Sequence, residues 1–258
     1  MHNQKLILFD FDGVIIDGIN EYWLSSLLAC QRYLHSSRDF SVINNEMKVS
    51  KTFIQIRPWV KFGWEMVLIT NEIIKENNPL TQKNKNQFLK NYKDNCTNLL
   101  IKNSWTSKRL QDSLDKARIT QIEDNLMRWI SLHTPFIEVV EFIKKVQKDG
   151  YKIGIISTKA KLFTSKILEE KNIFPEFIFG YESGNKIEIT LKLLQDFKIV
   201  GFVEDRRATL INIINNHQTK DIPCYLANWG YLKNSDRINL PHQIKLLTLN
   251  KLEDILAN

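Results

Sequence analysis

The sequence predicts an α/β protein in which a mostly helical insertion interrupts a domain built on a parallel sheet. From about Pro135 onward, short apolar runs alternate with helical patterns, and this alternation indicates parallel strands joined by right-handed crossovers. The segment 18–134 lacks the alternation and contains only two glycines, Gly18 and Gly63, which favours helices over hairpins. The predicted domains are a catalytic core at 1–17 and 135–258, and a helical cap at 18–134.

The elements follow from the period of the apolar residues. Strands are predicted at 5–9, 151–156, 177–180, 199–203 and 223–227. Helices are predicted between them at 136–146, 160–171, 187–197 and 209–216. Within the insertion, helices are predicted at 21–33, 52–74, 83–101 and 118–131, with breaks rich in Asn and Ser.

The composition is that of a soluble globular protein. The 258 residues are 43% apolar and 25% charged, both ordinary values. No apolar run reaches the roughly 18 residues of a membrane span, and Asp10 interrupts the first apolar run, unlike a secretory signal. Cys30, Cys96 and Cys224 are widely spaced and odd in number. We therefore expect a cytoplasmic protein without a membrane partner.

Positive charge is concentrated in the insertion. The net charge is +7, and residues 18–134 hold 17 lysines and arginines against 11 aspartates and glutamates. A basic surface attracts anionic small molecules and nucleic acids alike. Because the segment lacks any nucleic-acid-binding signature, we expect a small anionic partner and no nucleic acid.

Two acids follow the first strand with one residue between them, in the sequence Asp10-Phe11-Asp12-Gly13-Val14. Residues i and i+2 of an extended chain point to the same side, so the carboxylates of Asp10 and Asp12 would repel each other unless a cation intervened. Mg²⁺ is such a cation, because it binds through one or two carboxylates and substrate phosphate oxygens. Gly13 allows a sharp turn after the second acid. The alternative interpretation is a strand followed by an acidic turn.

Polar residues also follow three later strands, at the sheet edge where open α/β sheets bind ligands. Ser157-Thr158-Lys159 offers hydroxyl groups that could donate to a phosphate oxygen. Lys186 would begin a helix, where a cation interacts unfavourably with the helix dipole. A nearby anion would explain a lysine at this position. Glu204-Asp205 again places acids directly after an apolar run. Each motif alone could be an ordinary loop, but together they predict a phosphate site with a metal ion.

In these four motifs the chain resembles the haloacid dehalogenase superfamily, in its phosphatase branch with a helical cap inserted after the first strand. The resemblance covers residues 5–17 and about 135–230. It implies a Rossmann-like core with strand order 5-4-1-2-3, dependence on Mg²⁺ and hydrolysis of the phosphomonoester of a small metabolite. The insertion also looks like that of cyanobacterial- and plant-type members, which implies no particular substrate.

The resemblance also implies roles for individual residues. Asp10 would be the nucleophile that forms an aspartyl-phosphate, and Asp12 would protonate the leaving alcohol and then activate water. Mg²⁺ would be held by Asp10, the backbone carbonyl of Asp12 and Asp205. Lys186 and Ser157 would stabilise the charge of the phosphoryl group. Since dehalogenation needs no acid at position 12, Asp12 favours a phosphatase. Substrate contacts are expected at Gly13, Thr158, Lys159 and Arg57.

Several alternatives stay open at this point. Relatives commonly have Gly or Asp where this chain has Glu204, and a later Asp where it has Thr209. Glu204 could hold the metal through a water, or the site could bind metal weakly. Thr158 could replace Ser157 as the phosphate donor. The same residues would serve a phosphotransferase or mutase, and the departures also fit a catalytically weak phosphate-binding regulatory protein.

Two further segments could lie near the substrate. Arg57 precedes Pro58 and could bind a substrate carboxylate or a second phosphate through two hydrogen bonds. Alternatively, it could pair with Glu65 or Glu21 inside the insertion. Asn228-Trp229-Gly230-Tyr231 follows the fifth strand and is predicted to form a loop at the rim of the site. Gly230 is expected there for backbone shape, and the loop is assigned no chemistry.

Overall fold

The computed structural model describes residues 4–34, 48–75, 80 and 82–257. The chain forms two compact units, one comprising Met1–Asp17 with Thr134–Asn258 and the other Gly18–His133. We call them the sheet unit and the helical unit. That the helical unit acts as a cap stays a prediction.

A parallel sheet forms the centre of the sheet unit. The strands of this unit are β1 (Lys5–Phe9), β2 (Ile16–Asp17), β3 (Thr134–Pro135), β4 (Lys152–Ile156), β5 (Phe177–Phe179), β6 (Lys198–Glu204), β7 (Cys224–Ala227) and β8 (Ile244–Leu247). Six of them make one sheet in the order β5-β4-β1-β6-β7-β8, and every pair in it is parallel. The predicted α/β class is confirmed. The predicted order of the five predicted strands, 5-4-1-2-3, is confirmed as well, and it corresponds to β7-β6-β1-β4-β5. The edge strand β8 was not predicted, because Lys245 interrupts its short apolar run.

The central strands β4, β1 and β6 are apolar apart from their terminal residues, as expected where both faces of a sheet are covered. In β1, the four residues from Leu6 to Phe9 are fully buried. The two short strands pair separately and antiparallel, with Asp17 opposite Thr134 and Ile16 opposite Pro135. They carry the chain out of the sheet unit and back into it, and we call them the linker strands.

The helical unit contains the helices α1 (Ile19–Tyr33), α2 (Lys51–Ile56), α3 (Gly63–Ile73), α4 (Gln82–Lys90), α5 (Tyr92–Lys102) and α6 (Ser107–Ser131). The single helix predicted at 52–74 is wrong: a 3₁₀ turn at Arg57–Trp59 separates α2 from α3, because Pro58 lacks the N–H that a helix interior needs. The helix predicted at 83–101 divides at Asn91.

Helix α6, which is interrupted by a kink at Asn125 (φ −165°, ψ 95°), starts eleven residues before its predicted start at 118. Thr106 caps α6, its hydroxyl accepting a hydrogen bond from the backbone N–H of Arg109 at 3.1 Å. Such a cap satisfies one of the free donors of the first turn. Deeper in the unit, Arg118 donates to both carboxylate oxygens of Glu21, at 2.7 and 3.0 Å, with both side chains buried.

The helices of the sheet unit agree with the predicted ones to within a few residues. They are α7 (Ile137–Lys148), α8 (Lys161–Glu170), α9 (Lys186–Leu193) and α10 (Arg207–Asn215). The three cysteines are buried free thiols. In the described part of the chain, no helix combines the length and the apolar character that crossing a membrane requires.

Candidate active site

Three buried carboxylates meet at the carboxyl ends of β1 and β6. Asp10 follows β1 directly, and its N–H donates to the carbonyl of Val203 at 2.8 Å, which continues the pairing with β6. Glu204 ends β6 and Asp205 follows it. One carboxylate oxygen from each of Asp10, Glu204 and Asp205 lies within 4.8 Å of the other two.

The chemistry of this cluster fits a hard divalent cation. Its members are almost completely buried, with Glu204 fully so and Asp10 6% exposed. The ammonium group of Lys186 contacts both Asp10 and Glu204. Three carboxylates this close together in a buried place are costly unless cations compensate their charge. Oxygen ligands of this kind suit Mg²⁺.

Lys186 bridges two of the three acids. Its Nζ donates to Glu204 Oε2 at 2.6 Å and lies 2.8 Å from Asp10 Oδ1. The residue begins α9, which Asn185 caps by accepting from the N–H of Glu188 at 3.0 Å. Burial by itself lowers the pKa of Lys186, but the charges of Asp10 and Glu204 outweigh burial and raise the pKa above its ordinary value. The lysine therefore stays charged.

For Glu204, burial outweighs the effect of the neighbouring opposite charge on the pKa. Burial raises the pKa of Glu204, the charge of Asp10 raises it further, and Lys186 opposes both effects. Both carboxylate oxygens accept hydrogen bonds from the chain, Oε2 from Lys186 and Oε1 from the N–H of Arg206 at 3.0 Å. A second cation at the cluster would stabilise the ionised form of Glu204.

Asp12 lies beside a different lysine. Nζ of Lys159 is 3.6 Å from Asp12 Oδ1, and both side chains are buried. The N–H of Lys159 also donates to Ser157 Oγ at 3.0 Å. A hydroxyl that accepts one hydrogen bond can still donate its own proton, so Ser157 remains suited to a phosphate oxygen. Thr158, the alternative donor, is more exposed than Ser157.

Gly13 is required by its backbone and by its surroundings. Its φ is +87°, and a Cβ built there would lie 2.1 Å from Asp205 Oδ2. Its N–H donates to the carbonyl of Ile16 at 2.8 Å and so closes the turn after Asp12. The predicted contact of Gly13 with substrate stays a prediction.

Tyr231, which lies in the loop predicted at the rim of the site and was assigned no chemistry, contacts Asp205. The backbone N–H of Tyr231 donates to Asp205 Oδ2 at 2.8 Å. A Cβ at Gly230 would lie 2.3 Å from Asp205 Cβ and 2.7 Å from the carbonyl oxygen of Gly13. Gly230 is thus required for close approach rather than for backbone shape. The available signal was a glycine between two aromatic residues directly after a sheet strand.

Two further residues that the sequence singled out, Arg57 and Thr209, make contacts of their own. Arg57 belongs to the helical unit, where its guanidinium lies 5.0 Å from the ring centre of Tyr22 and donates to the carbonyl of Val60 at 3.3 Å. Its predicted contact with substrate stays a prediction. Thr209 lies in the first turn of α10, and its N–H donates to the carbonyl of Arg206 at 2.9 Å.

The family model of the haloacid dehalogenase-like hydrolases matches residues 4–206. The chain therefore belongs to this family of hydrolases, as its four motifs predicted. A comparison with curated protein sequences finds no match.

Solved structures with the same fold cover nearly the whole chain. A predicted phosphatase from Clostridium acetobutylicum has a TM-score of 0.59 at 14% identity, with 99% of each chain covered. A haloacid dehalogenase-like hydrolase from Streptococcus pneumoniae has a TM-score of 0.58 at 13% identity, covering 99% of this chain and 100% of its own. A predicted phosphoglycolate phosphatase from Haemophilus somnus has a TM-score of 0.58 at 16% identity, with 98% of each chain covered.

Proposed function

We propose that the protein is a Mg²⁺-dependent phosphatase that hydrolyses a small phosphomonoester through a covalent aspartyl-phosphate on Asp10. The observation that carries the proposal is the position of Asp10, which lies 2.8 Å from the ammonium group of Lys186 and within the cluster formed with Glu204 and Asp205. Phosphoryl transfer depends mainly on positioning and on neutralising charge. Two of the related structures described above are also called predicted phosphatases.

The metal would be held by carboxylate oxygens of Asp10 and Asp205 and by the backbone carbonyl of Asp12, with Glu204 acting at the same cluster. When bound, Mg²⁺ neutralises negative charge on the phosphoryl oxygens and helps to align the phosphate with the nucleophile.

In the first step, a carboxylate oxygen of Asp10 bonds to phosphorus while the bond from phosphorus to the substrate oxygen breaks. Asp12, in its protonated form, gives its proton to the departing alkoxide, which leaves as an alcohol. Lys186 and the hydroxyl of Ser157 stabilise the equatorial phosphoryl oxygens. Nζ of Lys159 lies 3.6 Å from Asp12 Oδ1 and would hold this carboxyl group in place for the proton transfer.

In the second step, Asp12 accepts a proton from water as the water oxygen bonds to phosphorus. The bond from phosphorus to Asp10 breaks, and inorganic phosphate leaves with Asp10 restored. One acid of this kind typically contributes about 10²–10⁴-fold to the rate.

The test is hydrolysis of an aryl phosphate with Mg²⁺, comparing the wild type with Asp10→Asn. Asp196→Asn, at an exposed position of the same unit, is the matched control. We expect Asp10→Asn to abolish hydrolysis and the control to retain it. Acid-quenched wild type should carry a phosphoryl group on the peptide that contains Asp10.

Three results would change the proposal. Activity retained in Asp10→Asn would discard Asp10 as the nucleophile. Transfer of the phosphoryl group to an added sugar phosphate in preference to water would indicate a phosphotransferase or mutase. A wild type that cleaves no member of a panel of phosphorylated metabolites, yet binds phosphate, would indicate a regulatory binding protein.

A further inference from the structure

The loop after β7 joins the acidic cluster to the linker strands. Tyr231 contacts both: its backbone N–H donates to Asp205 Oδ2 at 2.8 Å, and its phenolic hydroxyl donates to Asp17 Oδ1 at 2.5 Å. Asp17 is the last residue of β2. A hydrogen bond of this length from a hydroxyl to a carboxylate is among the strong ones.

Trp229, two residues earlier in the same loop, contacts residues next to the linker strands. Trp229 Nε1 donates to the carbonyl of Val14 at 3.0 Å, two residues before β2. The ring of Trp229 packs edge-on against that of Phe136, with 6.4 Å between ring centres. Phe136 follows β3 and donates its N–H to the carbonyl of Ile15 at 3.0 Å. The loop therefore contacts the chain next to both linker strands.

The loop itself is held in place by an arginine. Arg237 Nε donates to Asn228 Oδ1 at 2.8 Å, and Nη2 donates to the carbonyl of Asn228 at 3.1 Å. The same guanidinium also contacts the carbonyls of Leu232 and Lys233, at 3.4 Å each. Arg237 therefore holds both ends of the loop, and the hydrogen bond from the Tyr231 hydroxyl to Asp17 holds the loop between them, at the residue whose N–H contacts Asp205.

We propose that Tyr231 is a positioning residue that ties the orientation of the Asp205 carboxylate to the linker strand β2 through Asp17. The proposal rests on the proposed function, because it concerns a carboxylate that would hold Mg²⁺. Partners that orient a metal ligand contribute to metal affinity although they do not touch the ion. The linker is thereby part of the support of the metal site.

The test measures Mg²⁺ binding by titration calorimetry and hydrolysis of an aryl phosphate on the same variants. Tyr231→Phe removes the hydroxyl but keeps the N–H to Asp205. We expect this variant to weaken Mg²⁺ binding about tenfold, which is the lower end of the range seen when a partner of a metal ligand is lost. We also expect a lower kcat at limiting Mg²⁺. At saturating Mg²⁺, kcat should return toward the wild-type value with KM for the aryl phosphate unchanged.

Variants of Asp17 and a second tyrosine make the test specific. Asp17→Ala should weaken Mg²⁺ binding as much as Tyr231→Phe, and the double variant should be no worse than either, because both remove one interaction. Asp17→Asn keeps an acceptor oxygen and should restore most of the affinity. Tyr225→Phe is the matched control, since its hydroxyl donates to the carbonyl of Asp254 at 3.2 Å instead, and its Mg²⁺ affinity should equal that of the wild type.

The outcomes separate this inference from the proposed function. If the wild type binds Mg²⁺ and hydrolyses the ester while Tyr231→Phe does both equally well, the positioning role is overturned and the proposed function stands. A lowered unfolding temperature with unchanged Mg²⁺ affinity would also overturn it, since the role would then be structural only. A wild type that binds no Mg²⁺ would overturn both.

Discussion

The ammonium group of Lys186 donates to the carboxylate of Glu204 across 2.6 Å, and Glu204 is completely buried. The pair joins the last residue of β6 to the first residue of α9. Glu204 thereby holds the lysine that also contacts Asp10. Glu204, which replaces the Gly or Asp common in relatives, thus contacts the lysine next to Asp10.

Glu204→Gln should lower kcat for aryl phosphate hydrolysis by about 10–100-fold, the usual effect of losing a partner that orients a site residue. The amide keeps the shape but loses the charge that holds Lys186. Because both oxygens of Glu204 already accept hydrogen bonds, we expect Mg²⁺ affinity to fall less than in Asp205→Asn. Calorimetric titration of both variants checks this order. The reverse order would mean that Glu204 is the principal metal ligand.

Gly230→Ala should disrupt the metal site. The added Cβ would lie 2.3 Å from Asp205 Cβ and 2.7 Å from the Gly13 carbonyl oxygen, so the backbone must shift at a cost of about 1–3 kcal/mol. We expect weaker Mg²⁺ binding and a lower unfolding temperature. Gly150→Ala is the control: it meets nothing within 4 Å but has φ of +87°. The control should lose stability and keep its Mg²⁺ affinity; equal Mg²⁺ affinity in both variants would contradict the prediction.

Arg118→Met should destabilise the helical unit. It leaves the carboxylate of Glu21 buried without its bidentate partner, and breaking a buried pair in this way costs about 3–5 kcal/mol. Urea unfolding followed by circular dichroism measures the change. The comparison is Lys108→Ala, which breaks the exposed pair with Asp112 at 2.7 Å and should cost less than about 1 kcal/mol. Similar losses in the two variants would show that Arg118 is not a structural anchor.

The cysteines should be unreactive in the native protein. Burial raises the pKa of Cys96 and of Cys224 to about 12, and it raises the pKa of Cys30 as well. At pH 8 only about one in 10⁴ of a thiol with that pKa is thiolate, the reactive form. We expect no measurable reaction with a thiol reagent before unfolding and three thiols afterwards. The thiolate fraction rises tenfold for each pH unit, so native reactivity should remain low even at pH 9; rapid labelling at pH 8 would contradict the prediction.

Five strands and four helices of the sheet unit were predictable because their signals are local, whereas β2, β3 and β8 were not predicted. The apolar run of β1 and the helical spacing of α7 can be identified within a few residues of sequence. The break at Pro58 has a local signal, because the residue before a proline is disfavoured in a helix. The break at Asn91 was less predictable, since neither proline nor glycine occurs between 82 and 102. The start of α6 was missed because Thr106 caps a segment whose first turn is largely polar.

The acids, the hydroxyl and the lysine at the strand ends were determined by the sequence alone, because parallel strands bring their carboxyl ends to one edge. Only the tertiary structure decided which groups pair: Lys186 with Glu204, Lys159 with Asp12, and Tyr231 with both Asp205 and Asp17. Asp17 and Tyr231 are 214 positions apart. No local sequence pattern predicts this contact, because it depends on how the loop after β7 packs against β2.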